Sequence, residues 1–224
     1  MEQSPKIGGV GFRQNIREIL KNEPVVLVQM GERNFPKYES LLTDLSLRSQ
    51  TEDGMLPVTV NPNETPQEWI ENTKGLWVFG PKEGDIATTE GSSGFVSVYE
   101  PAHLDKINEW QTAKGKRVYE KGQVLELSSF VKESPESMKL EDSATKLALD
   151  KVFNGLNYKD IRAVSVWVTH DEKNQLDPID ASRTMALGGK KLGSVRYDAG
   201  ETVDSTCFVI PRQAFLDTLT GGHK

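Results

Sequence analysis

One cysteine, Cys207, and three histidines, His103, His170 and His223, are all that this 224-residue chain offers to thiolate or imidazole metal chemistry. A lone cysteine excludes an intramolecular disulfide framework and every multi-cysteine zinc or iron–sulfur site. Long apolar runs are also missing. Stretches such as Val25-Val26-Leu27-Val28 fall far short of the ~20 residues that span a bilayer, so no membrane partner is expected. The opening Met1-Glu2-Gln3-Ser4-Pro5-Lys6 lacks the apolar core of a secretory signal, and a cytoplasmic protein is the expectation. A basic excess is absent too: Lys and Arg number 27 against 33 Asp and Glu, a net charge of −6, with the acidic surplus confined to residues 1–115. Nucleic-acid binders draw their affinity from neutralised phosphates, which counts against that class. There is no Walker A run, no G-x-S-x-G, no H-E-x-x-H, no C-x-x-C and no calcium loop.

What remains is an ordinary globular composition, 36% hydrophobic and 27% charged. Its periodicities set out a series of short elements. Phe12, Ile16, Ile19 and Leu20 share one helical face, as do Tyr38, Leu41, Leu42 and Leu45. Val25 to Met30 reads as a nearly continuous apolar strand that suits a central place covered on both faces, and Leu76 to Phe79 and Phe95 to Tyr99 read as further strands. Leu56, Val58 and Val60 read as an edge strand, because Pro57 cannot donate a ladder bond. Thr65-Pro66-Gln67-Glu68 carries a helix cap. Pro101 opens a helix with Leu104, Ile107 and Trp110, and strands follow at Val118–Tyr119 and Val124–Leu127. Leu149, Val152, Phe153 and Leu156 give another helix face, Val164 to Val168 a strand, and Ser194–Tyr197 and Thr206–Ile210 two more. A last helix starts at Pro211 and stops at Gly221-Gly222.

This order predicts an α/β or α+β protein: a mixed sheet, or sheets, flanked by short amphipathic helices. A faint echo between Phe95–Asp105 and Cys207–Asp217 raises the idea of two related halves. The polar segment Lys132-Glu133-Ser134-Pro135-Glu136-Ser137-Met138-Lys139 is the natural boundary between an α/β domain over residues 1–132 and a smaller α+β domain over 140–224, with a single domain as the alternative.

Three places could carry chemistry. His170, Asp171 and Glu172 follow the strand ending at Thr169, with Asp177 and Asp180 in a loop running to Lys190-Lys191. Sites in α/β sheets form outside the carboxyl ends of strands, and these side chains suit a divalent cation or acid–base work. His170 is the candidate catalytic residue there, and His170, Glu172, Asp177 and Asp180 the candidate ligands. Asp177-Pro178 equally reads as turn and capping chemistry. The loop from Gly80 to Gly94, with Gly84, Asp85, Ser92 and Ser93, is long enough to suit a phosphate or nucleotide. Trp167 shares a strand with three valines and could mark a contact surface. Cys207, inside the apolar run Thr206–Ile210, reads as a small buried hydrophobe.

No nucleophile, base and orienter can be assembled from these residues with specificity. The leading expectation is therefore a soluble, non-enzymatic interaction, adaptor or assembly protein with no cofactor, acting on a protein partner or on a second copy of itself. A small metal-assisted hydrolase or transferase built on the His170 cluster, with a divalent metal ion, is the alternative. A phosphate binder using the glycine loop is the third reading.

Overall fold

A computed structural model describes residues 19–31, 33–51, 66–83, 86, 93–131, 135–170, 175–198 and 202–221. Its centre is a seven-stranded mixed sheet. The strands are β1 (Val25–Gln29), β2 (Gly75–Pro81), β3 (Gly94–Tyr99), β4 (Val124–Val131), β5 (Ala163–Thr169), β6 (Lys190–Asp198) and β7 (Thr202–Pro211), in the spatial order β1-β2-β3-β4-β5-β7-β6. Neighbours run antiparallel except β4 and β5. Parallel neighbours need a long crossover, here helix α4 (Pro135–Asn154); the other helices are α1 (Phe35–Thr51), α2 (Pro66–Asn72), α3 (Leu104–Ala113), α5 (Pro178–Ala186) and α6 (Arg212–Leu219).

Strand alternation sorts the side chains onto two faces. Trp77, Phe79, Val96, Val98, Leu125, Leu127, Val164 and Ile210 point one way and pack beneath Leu140, Ala144, Ala148, Leu149, Val152 and Phe153 of α4 and Phe215, Leu216 and Leu219 of α6. On the other face, Leu76, Val78, Phe95 and Tyr99 meet Tyr38, Leu42 and Leu45 of α1 and Trp69 of α2. Next to them, Val124, Ala163, Cys207 and Val209 meet Ile107 and Trp110 of α3. β2 and β3 are buried on both sides, which is why they read as unbroken apolar runs, whereas β1, expected as a strand covered on both faces, lies at the edge of the sheet and is partly exposed. Helix α3 lies close on the sheet at Gly193, where a Cβ would sit 2.3 Å from the Trp110 ring.

The mixed α/β class expected from the sequence is the one observed. The polar segment 132–139 contains the first turns of α4, from Pro135, and the strands flanking it, β4 and β5, are hydrogen-bonded neighbours in the same sheet. Val118–Tyr119, expected as a strand, lies in the loop after α3. The Asn108 side chain holds it there, donating to the Tyr119 carbonyl at 2.8 Å and accepting from its amide at 2.8 Å. The stretch expected as a loop after Asp177 is helix α5. The edge strand at Leu56–Val60 and the helix face from Phe12 to Ile16 lie outside the described residues. Among the described residues no helix is long and apolar enough to cross a membrane.

Candidate active site

The parallel pair at the middle of the sheet is incomplete. β4 and β5 are in register at Val124 with Ala163, Leu125 with Val164, Glu126 with Ser165 and Leu127 with Val166, and the pairing then stops. Beyond that point Ser128 to Val131 pair only with β3, and Trp167 to Thr169 only with β7. The carboxyl ends of the two strands therefore part, and two strand edges face each other without a shared ladder. Backbone N–H and C=O groups left so are obligatory hydrogen-bonding groups. A gap of this kind at the carboxyl ends of parallel strands is where an α/β sheet places its ligand.

Glu126 stands at the head of the gap, with Tyr99 opposite it on β3 and Ser165 on β5. Its side chain is only 5% exposed. Oε2 accepts from Trp167 Nε1 at 3.2 Å and from the Ala102 amide at 3.4 Å. Burial raises its pKa above the usual glutamate range, and the two hydrogen bonds only partly offset that. A carboxyl group held in this way is tuned toward accepting a proton. Trp167, the candidate contact residue, is half-buried. Its ring lies against His103 (centroids 5.5 Å apart) and Trp110 (6.2 Å), forming the floor under Glu126. Tyr99 accepts at its hydroxyl from Trp69 Nε1 at 2.6 Å, fixing the β3 wall. On the α4 side of the gap, Ser129 Oγ donates to Glu141 Oε1 at 2.6 Å.

The histidine–carboxylate cluster is not assembled as expected. His170 Nε2 lies 2.9 Å from Thr206 Oγ1, which is 2.8 Å from Ser194 Oγ, so its ring is turned along β7. Asp177 caps α5, its Oδ1 accepting from the amides of Ile179 (2.7 Å) and Asp180 (3.3 Å). Asp180 pairs with Arg183 at 3.1 Å, and Arg183 also reaches Glu141 at 2.6 Å and Asp142 on α4. Among the described residues no group of three or more His, Cys, Asp or Glu side chains is placed to hold a metal ion; Asp171 and Glu172 lie outside them. Gly84, Asp85 and Ser92 of the glycine loop lie outside as well, while Ser93 is buried and its hydroxyl donates to the Ile86 carbonyl at 3.4 Å. Cys207 is fully buried. Its thiol is pushed far above the usual range, first by burial and then by the Glu126 charge, so it is no nucleophile.

Glu126 is the residue that sequence reasoning missed. Its signal was a single charge inside the otherwise apolar run Val124-Leu125-Glu126-Leu127.

No protein-family model matches the chain, and no curated protein matches it. Solved structures do. A variant of spermidine N-acetyltransferase from Vibrio cholerae superposes with a TM-score of 0.56 at 14% identity, over 88% of this chain and 98% of that one. The same enzyme in complex with CoA and spermine gives 0.51 at 15% identity, over 87% and 99%. A GCN5-related N-acetyltransferase from Brucella melitensis gives 0.51 at 15% identity, over 89% and 80%. These likenesses correct three expectations. The matched structures are enzymes of acyl transfer, which overturns the reading as a non-enzymatic adaptor or assembly subunit and, with it, the expected protein partner or self-association. One of them is a complex with CoA, which counts against the expectation of no cofactor; the divalent-metal alternative has no support from the described residues, which place no cluster to hold one. At these identities the likeness is one of architecture: the chain has the mixed α/β fold of the GCN5-related N-acetyltransferases.

Proposed function

We propose that this chain is an acyltransferase that moves an acyl group from a CoA thioester to the amine of a small molecule. The observation that carries the reading is the parting of β4 and β5 after Leu127 and Val166, in a fold shared with N-acetyltransferases. The fit to a CoA thioester rests on the backbone. A slender arm bearing amides can satisfy the edge groups of Ser128–Val131 on one side and of Trp167–Thr169 on the other, as an added strand would. Bound there, the thioester supplies an activated carbonyl and a thiolate leaving group.

The chain's own contribution is positioning and proton handling. The two strand edges hold the donor extended and in register. Glu126 Oε2, with its raised pKa, takes the proton that the acceptor amine must lose as its nitrogen forms the new bond. Trp167 Nε1 and the Ala102 amide fix the carboxylate's direction, and the aromatic floor of Trp167, Trp110 and His103 keeps water from beneath it. The cytoplasmic setting expected from the sequence goes with this reading.

The test is release of free thiol from acetyl-CoA in the presence of a panel of small amines, polyamines included. Turnover with at least one amine is expected. Glu126→Gln keeps the size and both accepted hydrogen bonds but cannot take a proton, so kcat should fall about 10²–10⁴-fold with KM for acetyl-CoA little changed. An unaltered kcat would remove Glu126 from the chemistry. Absence of both CoA binding and thiol release would sink the assignment.

A further inference from the structure

At the opposite end of the sheet from the gap lies a cavity of about 350 Å³. Gln123 and Arg162, the residues that lead into β4 and β5, are among its lining residues, and the gap opens beyond the fourth residue along each strand, roughly 13 Å away. Four exposed cationic side chains line the cavity, Lys116, Arg117, Arg162 and Lys190, and no carboxylate among the described residues lines it. None of the four forms an ion pair with a described residue, and Glu120, three residues before Gln123, is engaged by the Gln123 side chain at 3.2 Å. Four like charges without a counter-charge among the described residues repel one another, a cost that a bound anion removes.

A second observation points the same way. Gln111, on the last turn of α3, lines the cavity and is only 5% exposed. Its Oε1 is buried with no hydrogen-bond partner among the described residues. A buried acceptor left unpaired is costly, so this site calls for an N–H or O–H donor. Its floor is apolar, from Leu192 and Val209.

We propose that this cavity binds a small organic phosphate ester carrying a hydroxyl or amino group. Two guanidinium forks match phosphate oxygens bidentately, and the ammonium groups add charge at their sides. The volume lies at the low end of small-ligand sites and well above a free inorganic phosphate. The apolar floor takes the organic part, and the donor group meets Gln111 Oε1. This site is separate from the acyl-transfer gap and does not depend on that assignment.

The experiment is calorimetric titration of the intact chain with AMP and with glucose 6-phosphate, in the presence of saturating CoA. Adenosine and inorganic phosphate serve as the halves of the probe. Saturable binding of at least one ester, one per chain and undiminished by CoA, is expected, with both halves weaker. Arg162→Glu and Lys190→Glu should each weaken it about tenfold or more, while Lys151→Glu, an exposed charge on α4, should leave it unchanged. Gln111→Leu should weaken binding without lowering Tm, since a merely structural glutamine would lower Tm instead. The proposal falls if neither ester binds at millimolar concentration or if CoA displaces it. It falls equally if inorganic phosphate binds as tightly as the esters, or if Lys151→Glu costs as much as Arg162→Glu.

Discussion

Glu126 sets a pH dependence of stability as well as of rate. Burial raises its pKa in the folded state, so the folded chain holds this proton more tightly than the unfolded chain does. The stabilisation is fully present below the unfolded value and is lost as pH rises through the raised folded one. Glu126→Gln has no charge to bury, so its Tm should gain on the parent's as pH goes from about 4 to about 8. Thermal melts across that range check this, and a pH-independent difference would show that the carboxyl titrates as it does in the unfolded chain. Cys207 was legible as a buried hydrophobe because its neighbours in the chain are apolar. Glu126 was not legible as a site. Which face a strand residue occupies is fixed by pairing register, and its partners, Trp167 and the Ala102 amide, lie 41 and 24 positions away in the chain.

Helices show where periodicity reading succeeds and where it stops. Helix α1 was plain from its four spaced apolar residues, all but Leu41 buried. Helix α4 was visible only in its second half, because its first half carries Glu136, Lys139, Glu141 and Asp142, and its buried face there relies on Leu140 and the small Ala144. Helix α5 escaped notice. It is nine residues long, and only Ala181 and Thr184 are buried in it, too few to make a stripe. The signal that was read, Asp177-Pro178 as capping chemistry, was the right local physics. Removing the cap with Asp177→Ala should cost about 1 kcal/mol, within the range of about 0.5–2 for such caps, and lower Tm by roughly 2–4 °C for a chain of this size. Urea denaturation gives the same number independently, and an unchanged midpoint would mean that the Asp177 bonds to Ile179 and Asp180 contribute nothing net. The turn that closes α5 depends on Gly188, at φ 85° and with Ala214 backbone atoms 2.8 Å from where a Cβ would be.

Across the whole molecule, the two stretches of chain on either side of residues 132–139 share one ladder and one core. Trp77, Phe79, Val96 and Val98 come from before that segment, and Leu149, Val164, Ile210 and Phe215 from after it, yet all belong to a single packed cluster under α4 and α6. The sequence could show the polar segment but not that α4 begins within it, nor that β4 and β5 meet across it, since strand order is a long-range property that local composition does not encode. A shared core of this kind unfolds together, because exposing either side strips the apolar cover from the other. Equilibrium denaturation in urea should therefore give one transition, with tryptophan fluorescence, which samples Trp69, Trp77, Trp110 and Trp167 in both stretches, coinciding with far-UV circular dichroism. Two separated transitions would mean that the β4–β5 pairing, only four residue pairs long, is too weak to couple the sides. CoA bound across the parted strands at a hundred times its Kd would add about 2.7 kcal/mol to that one transition, raising its midpoint without splitting it, because the ligand would touch both sides of the gap at once.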